Sequence, residues 1–180
     1  MALILESAED TMTLGAMLAE AMKDSPVRSL YLFAGLGGGK TTLTRGFVRA
    51  LPGSESAEVA SPSFTLCNVY PTCPAVLHAD LYRLPEGTSL MEEMDELMED
   101  GDPLLLLEWP ERLPETLYAR ERLDLHLIPC EDSNPEHLDN SEKSWKSRRL
   151  AVIDATGECA RQLLRELMPR LENRFPSDKT

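Results

Sequence analysis

The stretch "LYLFAGLGGGKTTLTRGF", residues 30–47, decides the fold of this chain. An apolar run with aromatic residues comes first, a glycine-rich segment follows, and apolar residues at helical spacing come after Lys40. This order predicts a buried strand, a phosphate-binding loop and a helix that begins where the loop ends. Such a loop binds phosphate because successive backbone N–H groups point into a concavity at the positive end of a helix.

Ala34 stands where the pattern G-x-x-x-x-G-K-[ST] has its first glycine. An alanine holds this position if its φ is negative, so we expect the loop still to bind a nucleotide. Lys40 is expected to reach the β- and γ-phosphates, and the Thr41 hydroxyl to bind Mg²⁺. The predicted nucleotide contacts are Gly35, Leu36, Gly37, Gly38, Gly39, Lys40, Thr41 and Thr42. The alternative is a glycine-rich turn with Lys40 in solvent.

Two acidic residues lie at the ends of predicted strands, where a parallel sheet presents its ligand-binding residues. Asp80 lies in "LHADLYRL", and Glu108 directly follows four leucines, as the magnesium-side acid of a Walker B strand does. We therefore predict Lys40, Asp80 and Glu108 as catalytic residues, and Thr41, Asp80 and Glu108 as Mg²⁺ ligands. The alternative for each acid is a helix cap or a surface ion pair.

The rest of the chain predicts further strands and helices in alternation. The segments "RLDLHLI" and "RRLAVIDATG" predict a hairpin, whose strands are antiparallel. The predicted sheet is therefore mostly parallel but mixed. We predict an α/β P-loop NTPase fold, in which helices flank a central sheet and residues 1–180 form one domain. The predicted helices lie in residues 6–22, capped by Ser7 or Thr11, in 40–51, in 89–100, and in 157–175, kinked or ended near Pro169. The polar stretch at about 130–147 is predicted to be a flexible loop.

Composition limits the classes of partner. The 180 residues carry a formal net charge of −13, so we expect no broad electrostatic attraction to nucleic acid. The N-terminal stretch has acids where a signal peptide would have lysines, and no apolar run approaches the length of a membrane span. We therefore expect a cytoplasmic protein without membrane contact.

Four motifs, in this order, resemble the TsaE (YjeE) family of bacterial P-loop ATPases of tRNA threonylcarbamoyladenosine biosynthesis. They are "GLGGGKTTLTRGF", "SPSFTLCNVY", "LHADLYRL" and "LLLLEWPERL". The resemblance implies slow ATP hydrolysis that requires Mg²⁺. It also implies that the protein works with TsaB and TsaD, which modify the adenosine next to the anticodon, and that it meets tRNA only indirectly.

The resemblance also implies roles for single residues. Asp80 would contact magnesium-bound water or position the attacking water, and Glu108 would be the second magnesium-side acid. A switch-like segment near the γ-phosphate is implied for Ser61, Ser63 and Thr65. Trp109 would lie at the nucleotide pocket or at a partner surface, although packing beside the strand is the alternative for Trp109 and Tyr82. The chain departs from the family pattern at Ala34-Gly35, which replaces a glycine-acid pair, and at Ser63, which replaces threonine.

Two other functions use the same fold. A small-molecule kinase would need an acceptor pocket and a lid rich in arginine, and no such lid is evident in the sequence. A nucleotide-gated binding module would use ATP occupancy to control docking, without significant hydrolysis. No residue is an obvious arginine finger in cis, although Arg45, Arg83 and Arg112 lie near the motifs, so we expect a partner to stimulate hydrolysis.

Overall fold

The computed structural model describes residues 2–62, 65–83, 102–130 and 148–175. In these ranges the chain forms one mixed sheet with three α-helices, which confirms the predicted α/β class. The helices are α1 (Ala8–Met22), α2 (Lys40–Arg49) and α3 (Glu158–Arg174). The strands are β1 (Ala2–Leu5), β2 (Ser29–Phe33), β3 (Cys67–Tyr70), β4 (Val76–Asp80), β5 (Leu104–Glu108), β6 (Arg122–Pro129) and β7 (Arg149–Thr156).

The strand order in the sheet is β1-β7-β6-β2-β5-β4-β3. The four central strands, β6, β2, β5 and β4, are parallel to one another, while β7, β1 and β3 pair antiparallel at the two sides. The predicted hairpin of β6 and β7 is confirmed. Strand β1 was not predicted, since "ALIL" is a short apolar run whose pairing with β7 is not visible in the local sequence.

The two faces of the sheet are covered differently because successive strand residues point to opposite faces. Leu30, Leu32 and Leu106 face the larger core, which they share with buried residues of all three helices. Tyr31 and Leu107 face a smaller core, which is completed by residues that follow β5. The central strands are therefore apolar on both faces, as is usual for parallel strands.

The helix boundaries follow local signals. The Ser7 hydroxyl accepts the Asp10 N–H at 3.0 Å and so caps α1, as one of the two predicted alternatives. Helix α3 continues through Pro169 to Arg174, so the expectation that it ends near the proline is wrong, while a kink there stays a prediction. The buried residues Leu171 and Phe175 pack beyond the proline and hold this last part on the core. The predicted helix at 89–100 and residues 131–147 of the predicted loop lie outside the described residues.

Helices α1 and α2 cross at two glycines. A Cβ atom on Gly46 would meet the backbone carbonyl of Met12, and one on Gly15 would meet the backbone of Leu43. Both obstacles are main-chain atoms of a packed helix, which cannot move aside as a flexible side chain would. The close contact of α1 with α2 therefore depends on hydrogen in place of a side chain at both positions.

We expect Gly46→Ala to lower the free energy of unfolding by about 2 kcal/mol, because the added methyl overpacks the helix crossing. Helix propensity alone would stabilise the same substitution by up to about 1 kcal/mol, so the sign separates the two effects. Urea denaturation provides the measurement. Gly35→Ala is the matched control, since a Cβ there would meet nothing within 4 Å and should leave stability within about 0.5 kcal/mol. A stabilised Gly46→Ala variant would show that the added methyl does not overpack the helix crossing.

Candidate nucleotide-binding site

The glycine-rich loop joins the carboxyl end of β2 to the N-terminus of α2. Gly37 and Gly39 have φ values of 74° and 102°, which glycine adopts readily. Gly39 is the N-cap of α2 and has no side chain that could accept a hydrogen bond. The N-cap residue therefore leaves the first N–H groups of the helix without a side-chain acceptor. This is the backbone arrangement that binds phosphate.

Ala34 fits the position of the missing glycine. Among the described residues other than glycine, only Leu66 and Trp109 have positive φ, so the φ of Ala34 is negative as its tolerance requires. Its methyl group lies inside the loop, where a Cβ on Gly38 would come within 2.7 Å of it. The extra methyl at position 34 is therefore accommodated because position 38 has no side chain.

A cavity of about 240 Å³ lies beside the loop. Its lining includes all the predicted nucleotide contacts except Gly35, together with both predicted carboxylates. The lining residues are Leu36, Gly37, Gly38, Gly39, Lys40, Thr41, Thr42, Ser61, Asp80, Tyr82, Glu108, Trp109 and Arg149. Gly35 instead contributes its carbonyl, which accepts hydrogen bonds from the Lys40 ammonium at 3.2 Å and from the Gly38 N–H at 3.1 Å.

Lys40 is held inside the site and is only 6% exposed. Its Nζ donates to the Ala34 carbonyl at 2.9 Å and lies 3.8 Å from Oε2 of Glu108. The same atom lies 4.4 Å from the centroid of the Trp109 ring. Burial lowers the pKa of Lys40, although the carboxylates of Glu108 and Asp80 act to raise it. The alternative of a lysine in solvent is therefore wrong.

The two predicted carboxylates lie side by side on neighbouring strands. Asp80 of β4 is in register with Glu108 of β5, and the two-residue period places both on the sheet face that α2 covers. They are 3% and 2% exposed, which excludes a surface ion pair for either. Asp80 accepts the Tyr82 N–H at 3.0 Å and the Ser61 hydroxyl at 3.4 Å, and both of these donors belong to residues that line the cavity.

His78 is part of the site and was not predicted as a site residue. Its Nε2 lies 2.9 Å from Oε1 of Glu108, and its Nδ1 lies 3.4 Å from the Tyr70 hydroxyl. The Tyr70 hydroxyl also lies 3.1 Å from the Ala60 carbonyl, one residue before Ser61. The histidine is fully buried, so these contacts fix the orientation of Glu108. The signal was present in the sequence, since a residue two positions before Asp80 on a strand shares its face.

Trp109 forms one wall of the cavity and has an unusual backbone. Its φ of 58° lies in the left-handed region, which costs a residue with a side chain roughly 1–2 kcal/mol. Its ring lies 4.9 Å from that of Tyr82, between centroids. Both aromatic residues therefore face the cavity as well as each other, and the strained backbone supports a functional reason for the position of Trp109.

The remaining predicted residues lie elsewhere. Thr65 donates its hydroxyl to Asn68 at 3.0 Å and does not line the cavity, while Ser63 lies outside the described residues. The described arginines near the motifs, Arg45, Arg83 and Arg112, do not line it either. The arginine that does is Arg149, at the start of β7, which sequence reasoning missed because no local motif surrounds it.

Comparison with known proteins identifies the family. The sequence model of the family described as threonylcarbamoyl adenosine biosynthesis protein TsaE matches residues 5–137. The chain belongs to the TsaE family. It is 39% identical to the TsaE protein of Aquifex aeolicus over 110 residues, which cover 61% of this chain and 76% of that relative. It is 37% identical to the TsaE protein of Streptomyces coelicolor over 146 residues, which cover 79% and 95% of the two chains.

The fold of this TsaE-family protein also matches a solved structure. The crystal structure of Bacillus subtilis YdiB superimposes with a TM-score of 0.69 at 24% identity and covers 94% of this chain and 95% of its own. The match supports the P-loop fold that the strand, loop and helix indicate. In the described part of this TsaE-family protein, no helix has both the length and the apolar character needed to cross a bilayer.

Proposed function

We propose that this TsaE-family protein binds ATP with Mg²⁺ and hydrolyses the ATP slowly in the biosynthesis of threonylcarbamoyladenosine in tRNA. The observation that carries the proposal is the convergence of the loop, Lys40, Asp80 and Glu108 on one cavity. A phosphate-binding loop with a buried ammonium and two adjacent carboxylates is the set of groups that phosphoryl transfer to water requires.

Each residue has a proposed task in this cavity. The N–H groups at the start of α2 and the Lys40 ammonium bind the phosphates, which places the terminal phosphorus toward the carboxylates. Asp80 orients the attacking water by accepting its hydrogen bond. His78 holds Glu108 in a fixed orientation through its 2.9 Å contact. Trp109 and Leu36 line the same cavity and are proposed to contact the nucleotide.

The residues present fit a magnesium ion. The part of the chain that is described contains no group of three or more His, Cys, Asp or Glu residues placed to hold a metal. Magnesium in nucleotide sites is normally held by one or two carboxylates together with substrate phosphates. Thr41, Asp80 and Glu108 supply that smaller set. When bound, the ion neutralises charge on the phosphates.

The cationic side chains of the cavity support the proposal that TsaB and TsaD stimulate hydrolysis. Of the lining residues, Arg149 is the arginine, and its Nε is engaged with the loop carbonyl of Gly38. A further cation for the transferred phosphoryl group would then come from a partner. An arginine supplied in this way raises the rate of hydrolysis by roughly 10³- to 10⁵-fold. A net charge of −13 also favours docking on a protein over direct binding of tRNA. The proposed location of this function is the cytoplasm.

The first test is phosphate release from ATP and Mg²⁺ by the purified protein, alone and with TsaB and TsaD. We expect a low basal rate that the partners raise and that Lys40→Ala abolishes. ATP binding without release in either condition would contradict the ATPase proposal. It would favour the nucleotide-gated binding module, as would an Asp80→Ala variant that supports tRNA modification by the partners without hydrolysis.

A further inference from the structure

Arg149 reaches the phosphate-binding loop from a strand far along the chain. Strand β6 runs parallel to β2, so the end of β6 at Pro129 lies at the same edge of the sheet as the loop that follows β2. Strand β7 returns antiparallel, and Arg149 is in register with Pro129. The first residue of β7 is therefore placed beside the loop by the hairpin register. It also lies outside residues 5–137, which the family model matches.

The contact of Arg149 with the loop is direct and buried. Its Nε donates to the carbonyl oxygen of Gly38 at 2.8 Å, and the residue is 8% exposed. Its side chain lies over Gly39, where a Cβ would come within 2.8 Å of Nε and 3.2 Å of Cζ. Gly39 thus lacks a side chain for two reasons, its φ of 102° and the arginine that packs on it.

This hydrogen bond fixes the direction of one peptide group in the loop. The peptide that joins Gly38 to Gly39 is planar and trans, so its C=O and N–H point in opposite directions. When Arg149 holds the Gly38 carbonyl on its own side, the Gly39 N–H is turned away from Arg149. With a glycine on each side, this peptide group could otherwise flip, since glycine has the widest choice of φ and ψ.

We propose that Arg149 is a positioning residue for nucleotide binding, which holds the Gly38–Gly39 peptide in the orientation that presents its N–H to phosphate. The inference rests on the proposed function, because it concerns the same loop. Its effect is on affinity: the arginine orders the loop before the nucleotide arrives, and that ordering is otherwise a cost of binding. The rate at saturating ATP depends on other residues, chiefly Asp80 and Glu108.

Two substitutions separate the hydrogen bond from the charge. Arg149→Gln places a neutral N–H donor the same number of bonds from Cα as the arginine Nε, whereas Arg149→Met fills similar space without a donor. Arg148→Met is the matched control, because the neighbouring arginine contacts Glu6 at 3.3 Å and does not line the cavity. The variants are compared in a Trp145→Phe background, which leaves Trp109 on the cavity wall as the sole tryptophan of the chain.

We expect Arg149→Met to weaken ATP binding and raise KM by about tenfold to a hundredfold, with kcat at saturation within about threefold of the parent. Arg149→Gln should recover at least half of that loss on a logarithmic scale, and Arg148→Met should stay within about twofold. The readouts are Trp109 fluorescence on titration with ATP, phosphate release, and thermal unfolding of each variant. A role in folding alone would lower the midpoint of unfolding and leave KM unchanged in the folded fraction.

Three outcomes would overturn the positioning role: unchanged affinity in Arg149→Met, equal weakness of Arg149→Gln and Arg149→Met, or a loss confined to kcat. If Arg149→Met does not fold, Arg149→Gln decides alone, because an affinity more than tenfold below that of the parent contradicts the proposal. Failure of the proposed function is distinguishable, because it would appear in the parent protein itself, either as no ATP binding in the same titration or as ATP binding without phosphate release.

Discussion

Replacing Lys40 with methionine is expected to weaken ATP binding by at least about 10²-fold. The lysine ammonium is the charged donor enclosed by the loop, and charge-assisted hydrogen bonds to phosphate are the strongest contacts available there. Methionine keeps an unbranched side chain of similar length, so the loop loses the charge while the space stays filled. Titration with ATP, followed by Trp109 fluorescence in the Trp145→Phe background, measures the change.

The stability of the parent should depend on pH through the same lysine. Burial lowers the pKa of Lys40 in the folded protein despite the nearby carboxylates. Because the folded pKa is the lower one, the unfolded state binds more protons than the folded state as pH rises toward 10.5, and the free energy of unfolding of the parent increases over that window. Lys40→Met lacks this titrating group, so its free energy of unfolding should not show that increase.

The control for this prediction is Lys23→Met, at a half-buried lysine that follows α1 and whose Nζ lies 2.7 Å from Oε2 of Glu20. It removes the same charge from the protein without touching the cavity, so ATP affinity should stay within about twofold. An ATP affinity of Lys40→Met within about threefold of the parent would show that the enclosed ammonium does not bind phosphate. A loss of ATP binding accompanied by unfolding would point to a structural role for the lysine.

The conformation of the glycine-rich loop was predictable from sequence because its determinants are local. Glycines at 37 and 39 supply the positive φ values, and Lys40 starts a helix whose apolar face is visible in the spacing of Leu43, Phe47 and Val48. The carboxylates at positions 80 and 108 were predictable for a similar reason, since each ends an apolar run. Parallel strands that begin at one edge of a sheet must end together at the other.

The residues that sequence reasoning missed are placed by pairing between distant segments. Arg149 reaches Gly38 only because β6 and β7 pair in one register, and a shift of one residue would turn its side chain to the other face. Strand β1 likewise acquires its partner from the far end of the chain. The sheet face of His78 could be predicted, since His78 lies two residues before Asp80 on the same strand. Its contact with Glu108 could not, because that contact depends on the register of β4 with β5.

Glu108→Gln is expected to lower the rate of ATP hydrolysis by about 10²- to 10³-fold while ATP binding is kept. Glutamine has the shape of glutamate and keeps an oxygen and a nitrogen near His78 and Lys40, so the cavity should hold its form. The carboxylate charge beside the phosphates is lost. The lost charge lowers the repulsion of the phosphates, and Thr41 and Asp80 remain to hold Mg²⁺, so the loss should be mainly in kcat.

Phosphate release at saturating ATP with TsaB and TsaD, together with the fluorescence titration, separates these two effects. Glu111→Gln is the matched control, because this exposed acid lies three residues further along the chain and does not line the cavity. It should change neither the rate nor the affinity by more than about twofold. If Glu108→Gln hydrolyses ATP as fast as the parent, the buried contact with His78 serves to stabilise the sheet edge, and Asp80 alone would carry the acidic role in hydrolysis.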